Sequence, residues 1–260
     1  MIVEQTAPVI SNDPDTDLYF RLVLGAPQIA ALTQPGQFAH LRIPGLERAL
    51  LRRPFSIFQA QGDRLSILYK AVGQGTEALS RARAGAEISA IGPLGHGFTL
   101  PRPGAETPLL VAGGYGMAAL HLLAQRSPQK GIVFVGGRRR VDILCEPEFR
   151  ALGWDVRVAT EDGSAGEKGL VTQPLVAELK RAAGPRKLFA CGPTPMLKAV
   201  AGIAAEFGAP AELSLDEHMC CGLGACLTCV VRIRTDPGWE YQRSCTEGPV
   251  FDSRRVVWEG

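Results

Sequence analysis

The sequence carries almost no excess of charge of either sign. Its 28 Lys and Arg residues against 26 Asp and Glu residues leave a formal net charge of +2. The basic residues occur in short clusters such as Arg52-Arg53 and Arg138-Arg139-Arg140, which are too short to follow a polyanion over any distance. A nucleic acid partner is therefore not expected.

A long hydrophobic run is also absent. The longest uncharged stretch, residues 107–125, approaches the length of a membrane span but contains Pro108, three glycines and His121. A strand, a glycine turn and a helix explain this stretch better. The first eight residues lack the basic start and the apolar core of a secretory signal, so we expect a cytoplasmic protein that does not associate with a membrane.

Histidine is scarce, and its four copies show no pairing typical of acid–base catalysis. Glycine (30 residues) and proline (19 residues) stay below the share that marks low-complexity chains, while hydrophobic residues make up 46% of the chain. The chain should therefore bury a real core. Its 260 residues allow one large domain or two to three small ones.

Three regions with different patterns follow one another and predict a multidomain α+β protein. Residues 1–103 contain short apolar runs with period-two alternation, which predicts an antiparallel β-barrel for the first domain. Residues 104–212 alternate apolar runs with Ala/Leu-rich stretches, which predicts an α/β nucleotide-binding domain with a parallel sheet. Residues 213–260 have little periodicity, as expected of a small domain built around a metal centre.

Five of the seven cysteines lie in the last 41 residues, a crowding that favours a metal site in a reducing compartment over a disulfide framework. Cys221, Cys226 and Cys229 give the spacing C-x4-C-x2-C, and fifteen residues separate Cys229 from Cys245. This is the spacing of plant-type [2Fe-2S] sites. The sequence therefore predicts these four cysteines as ligands of a [2Fe-2S] cluster.

Two alternatives remain for this segment. A structural zinc site with four cysteines usually takes two Cys-x2-Cys pairs, and only Cys226 and Cys229 have that spacing. Cys220 can replace its neighbour Cys221, although C-x5-C-x2-C is a less familiar spacing. Cys145 and Cys220 are otherwise interpreted as ordinary thiols.

Two segments of the first region suit a flavin nucleotide. Arg53 can pair with a pyrophosphate, Pro54 favours an extended path and the Ser56 hydroxyl can hydrogen-bond the edge of a flavin ring. Leu68-Tyr69-Lys70 supplies an aromatic platform, and Gly73-Gln74-Gly75-Thr76 supplies a glycine-rich turn whose backbone can approach a phosphate. Taken singly, these residues are explained better by an ordinary strand and its turn.

Two further segments suit a nicotinamide dinucleotide. Gly113, Gly114 and Gly116 follow an apolar strand and open a predicted helix over residues 118–125, whose N–H groups suit a pyrophosphate. The pattern is not G-x-G-x-x-G, so a plain strand–helix turn is an equal alternative. Cys191-Gly192-Pro193 also lies between a predicted strand and a helix, and taken alone it indicates a capped turn with a buried thiol.

Taken in order, these motifs resemble the ferredoxin–NADP reductase superfamily. The shared pattern is Arg-Pro-x-Ser, Gly-x-Gly-Thr, Gly-Pro-Leu-Gly-x-Gly-Phe at residues 92–98, Gly-Gly-x-Gly and Cys-Gly-Pro-x-Pro-Met. The C-terminal Cys-Gly-x-Gly-Ala-Cys-x-x-Cys and Ser-Cys-x-Glu-Gly-Pro-Val-Phe narrow the resemblance to the electron-transfer subunits of class 1B dihydroorotate dehydrogenases. The resemblance covers essentially the whole chain.

The resemblance implies three groups of cofactor-binding residues. The positions that match the FAD segments are Arg53, Pro54, Phe55, Ser56, Leu68, Tyr69, Lys70, Gly75 and Thr76. Those that match the cluster ligands are Cys221, Cys226, Cys229 and Cys245. Those assigned to NAD are Gly113, Gly114, Gly116, Cys191, Gly192 and Pro193.

This chain departs from the family pattern at two positions. Tyr115 stands where the family usually has Ile or Val between glycines, and a bulky phenol there can alter dinucleotide docking. His96 replaces a more usual Asn in the segment 92–98, near the expected flavin site.

The resemblance also implies a route for electrons in pyrimidine biosynthesis. Dihydroorotate would reduce FMN in a separate catalytic subunit, and electrons would then pass through this chain's cluster and FAD to NAD, in a heterotetramer of two copies of each subunit. No catalytic residue for pyrimidine oxidation is expected in this chain. Two alternatives stay open: a flavin and iron–sulfur subunit of a ferredoxin-dependent NADP oxidoreductase or sulfhydrogenase, and a non-catalytic binding protein with structural zinc. The preference for NAD or NADP is not decided by the sequence.

Overall fold

The first hundred residues form a closed antiparallel barrel, in a computed structural model that describes residues 1–46, 51–181 and 183–258. The strand order around the barrel is β1-β2-β5-β4-β3-β6. The strands are β1 (Val3–Pro14), β2 (Tyr19–Gly25), β3 (Phe38–Leu41), β4 (Arg53–Gln61), β5 (Arg64–Lys70) and β6 (Glu87–Leu94). Two short helices, α1 (Pro27–Leu32) and α2 (Gln74–Leu79), connect them. The predicted barrel is confirmed.

Period-two alternation gives the barrel its core. On β3, Ala39 and Leu41 are fully buried inside the barrel, so Phe38 and His40 lie on the other face of the strand, away from the barrel interior. The long strand β1 has mostly exposed side chains and two prolines, Pro8 and Pro14, and therefore no clear apolar run. It pairs with both β2 and β6, and this long-range pairing closes the barrel.

The second region forms a seven-stranded sheet in the order β10-β9-β8-β7-β11-β12-β15. Its parallel strands are β7 (Thr107–Gly113), β8 (Ile132–Gly137), β9 (Asp155–Thr160), β10 (Glu167–Lys168), β11 (Arg186–Cys191) and β12 (Ala211–Ser214). The helices of this region are α3 (Met117–Arg126), α4 (Glu146–Ala151), α5 (Thr172–Arg181) and α6 (Thr194–Glu206). The predicted parallel-sheet domain is confirmed.

The chain changes direction across this sheet at β7. From β7 it proceeds through β8 and β9 to one edge, and it then returns to the other side of β7 with β11 and β12. Ligands of open α/β sheets bind outside the carboxyl ends of the strands at such a switch point. The carboxyl ends of β7 and β11 are therefore the expected dinucleotide site.

Helix α3 (Met117–Arg126) joins the barrel to the sheet. It is almost entirely buried, and the His121 ring stacks on Phe58 of β4 with centroids 4.2 Å apart. Leu122 lies in the barrel core, while its neighbour Leu123 lies in the core shared with the sheet. The uncharged stretch 107–125 is thus a strand, a glycine turn and a helix, as predicted. Among the described residues, no helix is long and apolar enough to cross a membrane.

The C-terminal segment forms a hairpin and then rejoins the sheet. The hairpin strands are β13 (Val230–Arg234) and β14 (Trp239–Arg243), and β15 (Val250–Asp252) pairs antiparallel with β12. Ile233 and Phe251 share a core with Leu213 of the sheet. The predicted boundary between residues 212 and 213 falls inside β12 (Ala211–Ser214), so the segment shares its packing with the second region.

Candidate functional site: a flavin, dinucleotide and iron–sulfur surface

The proposed flavin segment lies on strand β4, with part of it facing away from the barrel core. Phe55 is buried in that core, so Pro54 and Ser56 lie on the opposite face. In the register with β3, Pro54 is opposite His40 and Ser56 is opposite Phe38. The Ser56 hydroxyl has no hydrogen-bond partner among the described residues, so it is free to bind a ligand.

Arg53 and Gly75 are brought together although they are 22 positions apart in the sequence. The Arg53 guanidinium donates a hydrogen bond to the Leu51 carbonyl oxygen over 2.9 Å, and its Nε lies 3.4 Å from the position that a Cβ on Gly75 would occupy. A Cβ at position 75 would fill the space beside this guanidinium at ordinary contact distance. The glycine therefore leaves room beside a cation that suits a pyrophosphate.

The predicted glycine-rich turn is shorter than expected. The turn ends at Gly73, and Gly75 and Thr76 belong to helix α2 (Gln74–Leu79). The Thr76 hydroxyl accepts a hydrogen bond from the Val72 amide over 2.9 Å and stabilises the helix start. The Thr76 side chain is thus already engaged within the protein.

The prediction of an aromatic platform at Tyr69 is wrong. Tyr69 is 3% exposed, its ring packs against Phe20 and Phe55, and its hydroxyl donates to Asn12 Oδ1 over 3.0 Å. Alternation along β5 directs this ring into the barrel core. Lys70 lies over the buried Tyr19 ring, 5.2 Å from its centroid. The segment 68–70 therefore offers its backbone and Lys70 to a ligand, but no exposed aromatic ring.

The two proposed dinucleotide segments meet at the switch point of the sheet. Strand β7 ends at Gly113, and β11 ends at Cys191, which pairs with Ala112 in register. A Cβ on Gly113 would lie 2.9 Å from Pro193 Cδ, and one on Gly116 would collide with the Cys191 carbonyl. Glycine is required at position 116 because the two turns touch there through their backbones, whereas a side chain at position 113 would crowd Pro193 and Met196.

Cys191 itself is a buried packing residue. It is 4% exposed, and burial, followed by the charge of Asp216, raises the pKa of its thiol to about 12. Its contribution to a dinucleotide site is therefore the backbone geometry of the turn. The plain interpretation of its side chain as a buried thiol agrees with this environment.

Tyr115 lies at the mouth of the same groove. It stands in a single 3-10 turn, Gly114–Gly116, between β7 and α3, and its side chain is 53% exposed. Partial burial, with the neighbouring Asp216 carboxylate that interacts with the phenol, raises the pKa of Tyr115 to about 12. The ring therefore points out of the core. Its interaction with Asp216 links the turn after β7 to the segment that follows β12.

The four proposed cluster ligands form two pairs. Cys226 Sγ and Cys221 Sγ lie 3.3 Å apart, and the side chains of Cys229 and Cys245 interact with each other. Within the described ranges, no group of three or more His, Cys, Asp or Glu residues is placed to hold one metal ion. Two pairs of thiolates fit a binuclear cluster, in which each iron needs two protein sulfurs, better than a single zinc ion.

The loop between the first ligands wraps around Cys221. The backbone amides of Leu223 and Cys226 each donate to Cys221 Sγ over 3.4 Å. Gly222 and Gly224 have φ values of +68° and +80°, a conformation that glycine adopts without strain. Amides directed at a sulfur stabilise the thiolate, and the donor set therefore fits an iron–sulfur cluster.

The two pairs differ in environment. Hydrogen bonds, first from the side chain of Thr228, lower the pKa of Cys226 to about 6, while burial and the neighbouring Cys229 raise the pKa of Cys245 to about 11. Cys229 and Cys245 are each 1% exposed and pack against Phe38 of β3 and Leu94 of β6. The inner pair is thus buried against β6 and against β3, the strand that pairs with the flavin segment on β4.

Side chains outside the cysteine motif hold the loop in place. Arg243 donates to the Gly224 carbonyl oxygen over 3.1 Å and pairs with Glu247, Nη2 to Oε1, over 2.6 Å. His96 Nδ1 lies 2.6 Å from the carbonyl oxygen of Thr246, the residue after Cys245. The second departure from the family pattern therefore contacts the loop that follows Cys245.

The remaining cysteines differ in their distance from this loop. Cys145 is buried in the core between barrel and sheet, where burial raises the pKa of its thiol well above the usual range. Cys220 lies close enough to Cys226 and Cys221 for them to contribute to the raised pKa of its own thiol. Because the loop amides donate to Cys221, that residue remains the proposed ligand and Cys220 the alternative.

Four residues of this surface lie outside the motifs that the sequence shows. They are Phe38, His40, Asp216 and Arg243. Alternation on the strand 37–43 places Phe38 and His40 on one face, but it does not show what that face contacts. Only folding brings these side chains to the cysteine loop and the dinucleotide groove.

Known proteins are similar to this chain both in its C-terminal segment and over nearly its whole length. Residues 216–257 match the iron–sulfur cluster binding domain of dihydroorotate dehydrogenase B. A dihydroorotate dehydrogenase B (NAD(+)), electron transfer subunit from Desulforamulus reducens is 42% identical over 242 residues, covering 90% of each chain. The subunit of the same name from Bacillus velezensis is 40% identical and covers 96% of this chain and 97% of its own.

Solved structures share the fold. The structure of an NADH-dependent reduced ferredoxin-NADP oxidoreductase aligns with a TM-score of 0.85 and 27% identity, over 98% of this chain and 90% of that chain. A ferredoxin NADP+ reductase from Neisseria gonorrhoeae with bound FAD and NADP aligns with a TM-score of 0.65 over 79% of this chain and 92% of that chain. Its 16% identity supports the fold alone.

The barrel, the switch-point groove and the cysteine loop define a flavin and iron–sulfur oxidoreductase of the ferredoxin reductase type. Its cofactors are FAD, a [2Fe-2S] cluster and NAD, as the iron–sulfur domain, the NAD-linked relatives and the reductase structure at 27% identity support. The chain belongs to the family of dihydroorotate dehydrogenase B (NAD(+)) electron transfer subunits.

Proposed function

We propose that this chain accepts electrons from the FMN of a dihydroorotate-oxidising subunit at a cluster held by Cys221, Cys226, Cys229 and Cys245, and delivers them through FAD to NAD+. Flavin supplies the exchange between single electrons and a hydride. The chain itself provides the sites and holds them near each other. No residue for oxidising the pyrimidine is assigned to it.

One observation carries the proposal. The inner cysteine pair, Cys229 and Cys245, is buried against Phe38, and Phe38 is directly opposite Ser56 of the proposed flavin segment. Directly opposite residues of antiparallel strands have Cβ atoms about 4.5–5.5 Å apart. The inner cysteine pair and the flavin segment therefore both lie against strand β3, which suits electron transfer between the two cofactors.

The remaining residues have binding roles in this proposal. Arg53 neutralises the FAD pyrophosphate beside Gly75, and Ser56 offers its hydroxyl to the flavin ring. The turns at 113–116 and 191–193 accept the nicotinamide dinucleotide at the carboxyl edge of the sheet. Phe55, Tyr69 and Thr76 support these segments from within the fold.

The partner arrangement is also part of the proposal. The relatives are named as the electron transfer subunit of a dehydrogenase, which implies a catalytic partner subunit. We infer that this partner carries FMN, that two copies of each subunit form a heterotetramer, and that the complex works in the cytoplasm. We also retain 1–103, 104–212 and 213–260 as the flavin, dinucleotide and cluster regions.

Separate reduction experiments test the electron route. NADH is expected to reduce the flavin of the isolated chain, and dihydroorotate is expected to leave its absorption spectrum unchanged until the catalytic subunit is added. Stopped-flow absorbance records both reactions. Direct reduction of the isolated chain by dihydroorotate would contradict the proposed division of labour.

The same assay separates the competing function. A subunit of a ferredoxin-dependent NADP oxidoreductase would be reduced faster by NADPH than by NADH and would exchange electrons with ferredoxin. The fold alignment with an NADH-dependent reduced ferredoxin-NADP oxidoreductase makes this comparison worthwhile. A preference for NADH and no exchange with ferredoxin support the dihydroorotate route.

Replacing Tyr115 is expected to accelerate reduction by NADH. A nicotinamide entering the groove must displace the half-exposed ring and its interaction with Asp216. One hydrogen bond is worth about 0.5–1.5 kcal/mol, so Tyr115→Ile should raise the rate of flavin reduction by about two- to tenfold. Tyr115→Phe separates the hydroxyl from the ring. Equal rates in all three proteins would mean that the ring does not obstruct the groove.

A further inference from the structure

His40 is a buried polar residue whose hydrogen-bonding groups are unused within the protein. It lies on β3, is 1% exposed, and neither ring nitrogen has a hydrogen-bond partner among the described residues. Burial, and then the nearby charges of Arg52 and Arg53, lower its pKa to about 4, so the imidazole is neutral at physiological pH. A neutral imidazole has one N–H donor and one acceptor, and leaving a buried polar group unpaired costs about 1–3 kcal/mol.

The cluster loop covers one edge of this imidazole. A Cβ on Gly222 would lie 2.7 Å from both His40 Nδ1 and His40 Nε2, so the ring edge that carries both nitrogens faces the Gly222 backbone. Gly222 directly follows the proposed ligand Cys221 and is itself buried. Only glycine allows the loop to approach the ring this closely.

The flavin segment lies on the other side of His40. In the β3–β4 register His40 is opposite Pro54, and Phe38, on the same face, is opposite Ser56. Phe38 packs with the inner cysteine pair. His40 therefore stands between the cluster loop and the proposed FAD segment.

We propose that His40 is a positioning residue that donates its ring N–H to a sulfur of the [2Fe-2S] cluster beside Cys221 and thereby raises the cluster's reduction potential. The inference rests on the proposed cluster ligands. Hydrogen bonds to the sulfurs are among the features that set the potential of such clusters, because they stabilise the added negative charge of the reduced form. Cluster sulfur is the acceptor that the orientation of the ring edge supports, because both nitrogens lie beside the residue that follows Cys221 and neither has a partner among the described residues.

Redox titration of the whole chain with both cofactors bound tests the inference. In His40→Leu, the ratio of reduced to oxidised cluster at a fixed potential should fall about tenfold, which is about 59 mV for a one-electron couple. His40→Gln keeps an N–H donor and should recover part of this shift. The potential of FAD should change less than that of the cluster.

A spectroscopic measurement supplies an independent readout. In the reduced protein, electron–nuclear double resonance should detect an exchangeable proton coupled to the cluster that disappears in His40→Leu. His121→Leu is the matched control, because His121 is also a buried histidine with an unpartnered Nδ1 but lies on α3 and stacks on Phe58 of β4. Its cluster potential and proton coupling should equal those of the unmodified protein.

Two results would overturn the inference. One is a cluster potential and proton coupling that are unchanged in His40→Leu, and the other is a shift confined to FAD. If His40→Leu loses its iron, His40→Gln and His40→Asn carry the test, and an unaltered potential in both counts against the role. These outcomes leave the electron route intact, whereas an error in the ligand set appears as iron retained after cysteine substitution.

Discussion

Cys245→Ser is expected to lose most of the iron and the electron paramagnetic resonance signal of the reduced cluster. Cys245 is 1% exposed and packed between the barrel strands and the hairpin, so no water or flexible side chain replaces the missing thiolate. The NADH-driven reduction of the flavin should persist, because it does not pass through the cluster. Transfer from dihydroorotate to NAD+ in the assembled complex should be abolished.

Cys145→Ser is the matched control for this change. Cys145 is equally buried but lies in the core between barrel and sheet, away from the cysteine loop. Cys226→Ser tests the outer pair, where the thiol is only partly buried and folding is less affected. Full iron retention in Cys245→Ser would remove this residue from the ligand set and make Cys220 the next candidate.

Arg53→Ala is expected to weaken FAD binding by about ten- to a hundredfold. The loss of one charge-assisted hydrogen bond costs about 1.5–3 kcal/mol, which converts to that range of affinity. The protein should therefore purify with less flavin, and titration of the flavin-free chain with FAD should give a higher dissociation constant. Chromatography of the released flavin distinguishes FAD from FMN.

Arg52→Ala provides the control, because this neighbouring arginine is directed elsewhere. Its guanidinium pairs with Glu4 over 2.5 Å and donates to the Ser89 carbonyl oxygen over 2.7 Å. The Arg52 variant removes the same charge without exposing the position beside Gly75. Equal losses of FAD affinity in both variants would indicate a general charge effect instead of a contact at Arg53.

The fold was predictable in its general form because its patterns are local. Runs with period two predict barrel strands, and apolar runs followed by Ala-rich stretches predict β7 with α3 and β11 with α6. Strand β1 was harder, since its exposed side chains and prolines hide the pairing with β6. A change in the hydrophobic pattern predicts a division at residue 212. In the structure, β15 returns to pair with β12, and both strands contribute to the same hydrophobic core.

Side-chain roles were less predictable than segments. The motif around Tyr69 indicated an exposed ring, yet β-strand alternation buries that ring and leaves Lys70 near the surface. The pattern of Gly113 and Gly116 predicts a turn. That Gly113 lies against Pro193 and Gly116 against the Cys191 backbone follows only from the pairing of β7 with β11. A motif shows which residue types follow one another, but the face on which each side chain lies depends on the strand and its place in the sheet.

The cysteine spacing alone predicts an iron–sulfur cluster, and the order of the motifs alone predicts the order of the flavin, dinucleotide and cluster segments. Together they give the family resemblance that relatives at 37–42% identity confirm. These features can be read from the sequence because each motif consists of residues that are close together in the chain, as in a short loop that surrounds a metal centre. The tertiary structure decided the pairing of Cys221 with Cys226 and of Cys229 with Cys245, the contact of Gly222 with His40 and the approach of Tyr115 to Asp216. Most of those contacts join residues that are distant in the chain, so they depend on strand register and on the packing of the cysteine segment against the barrel.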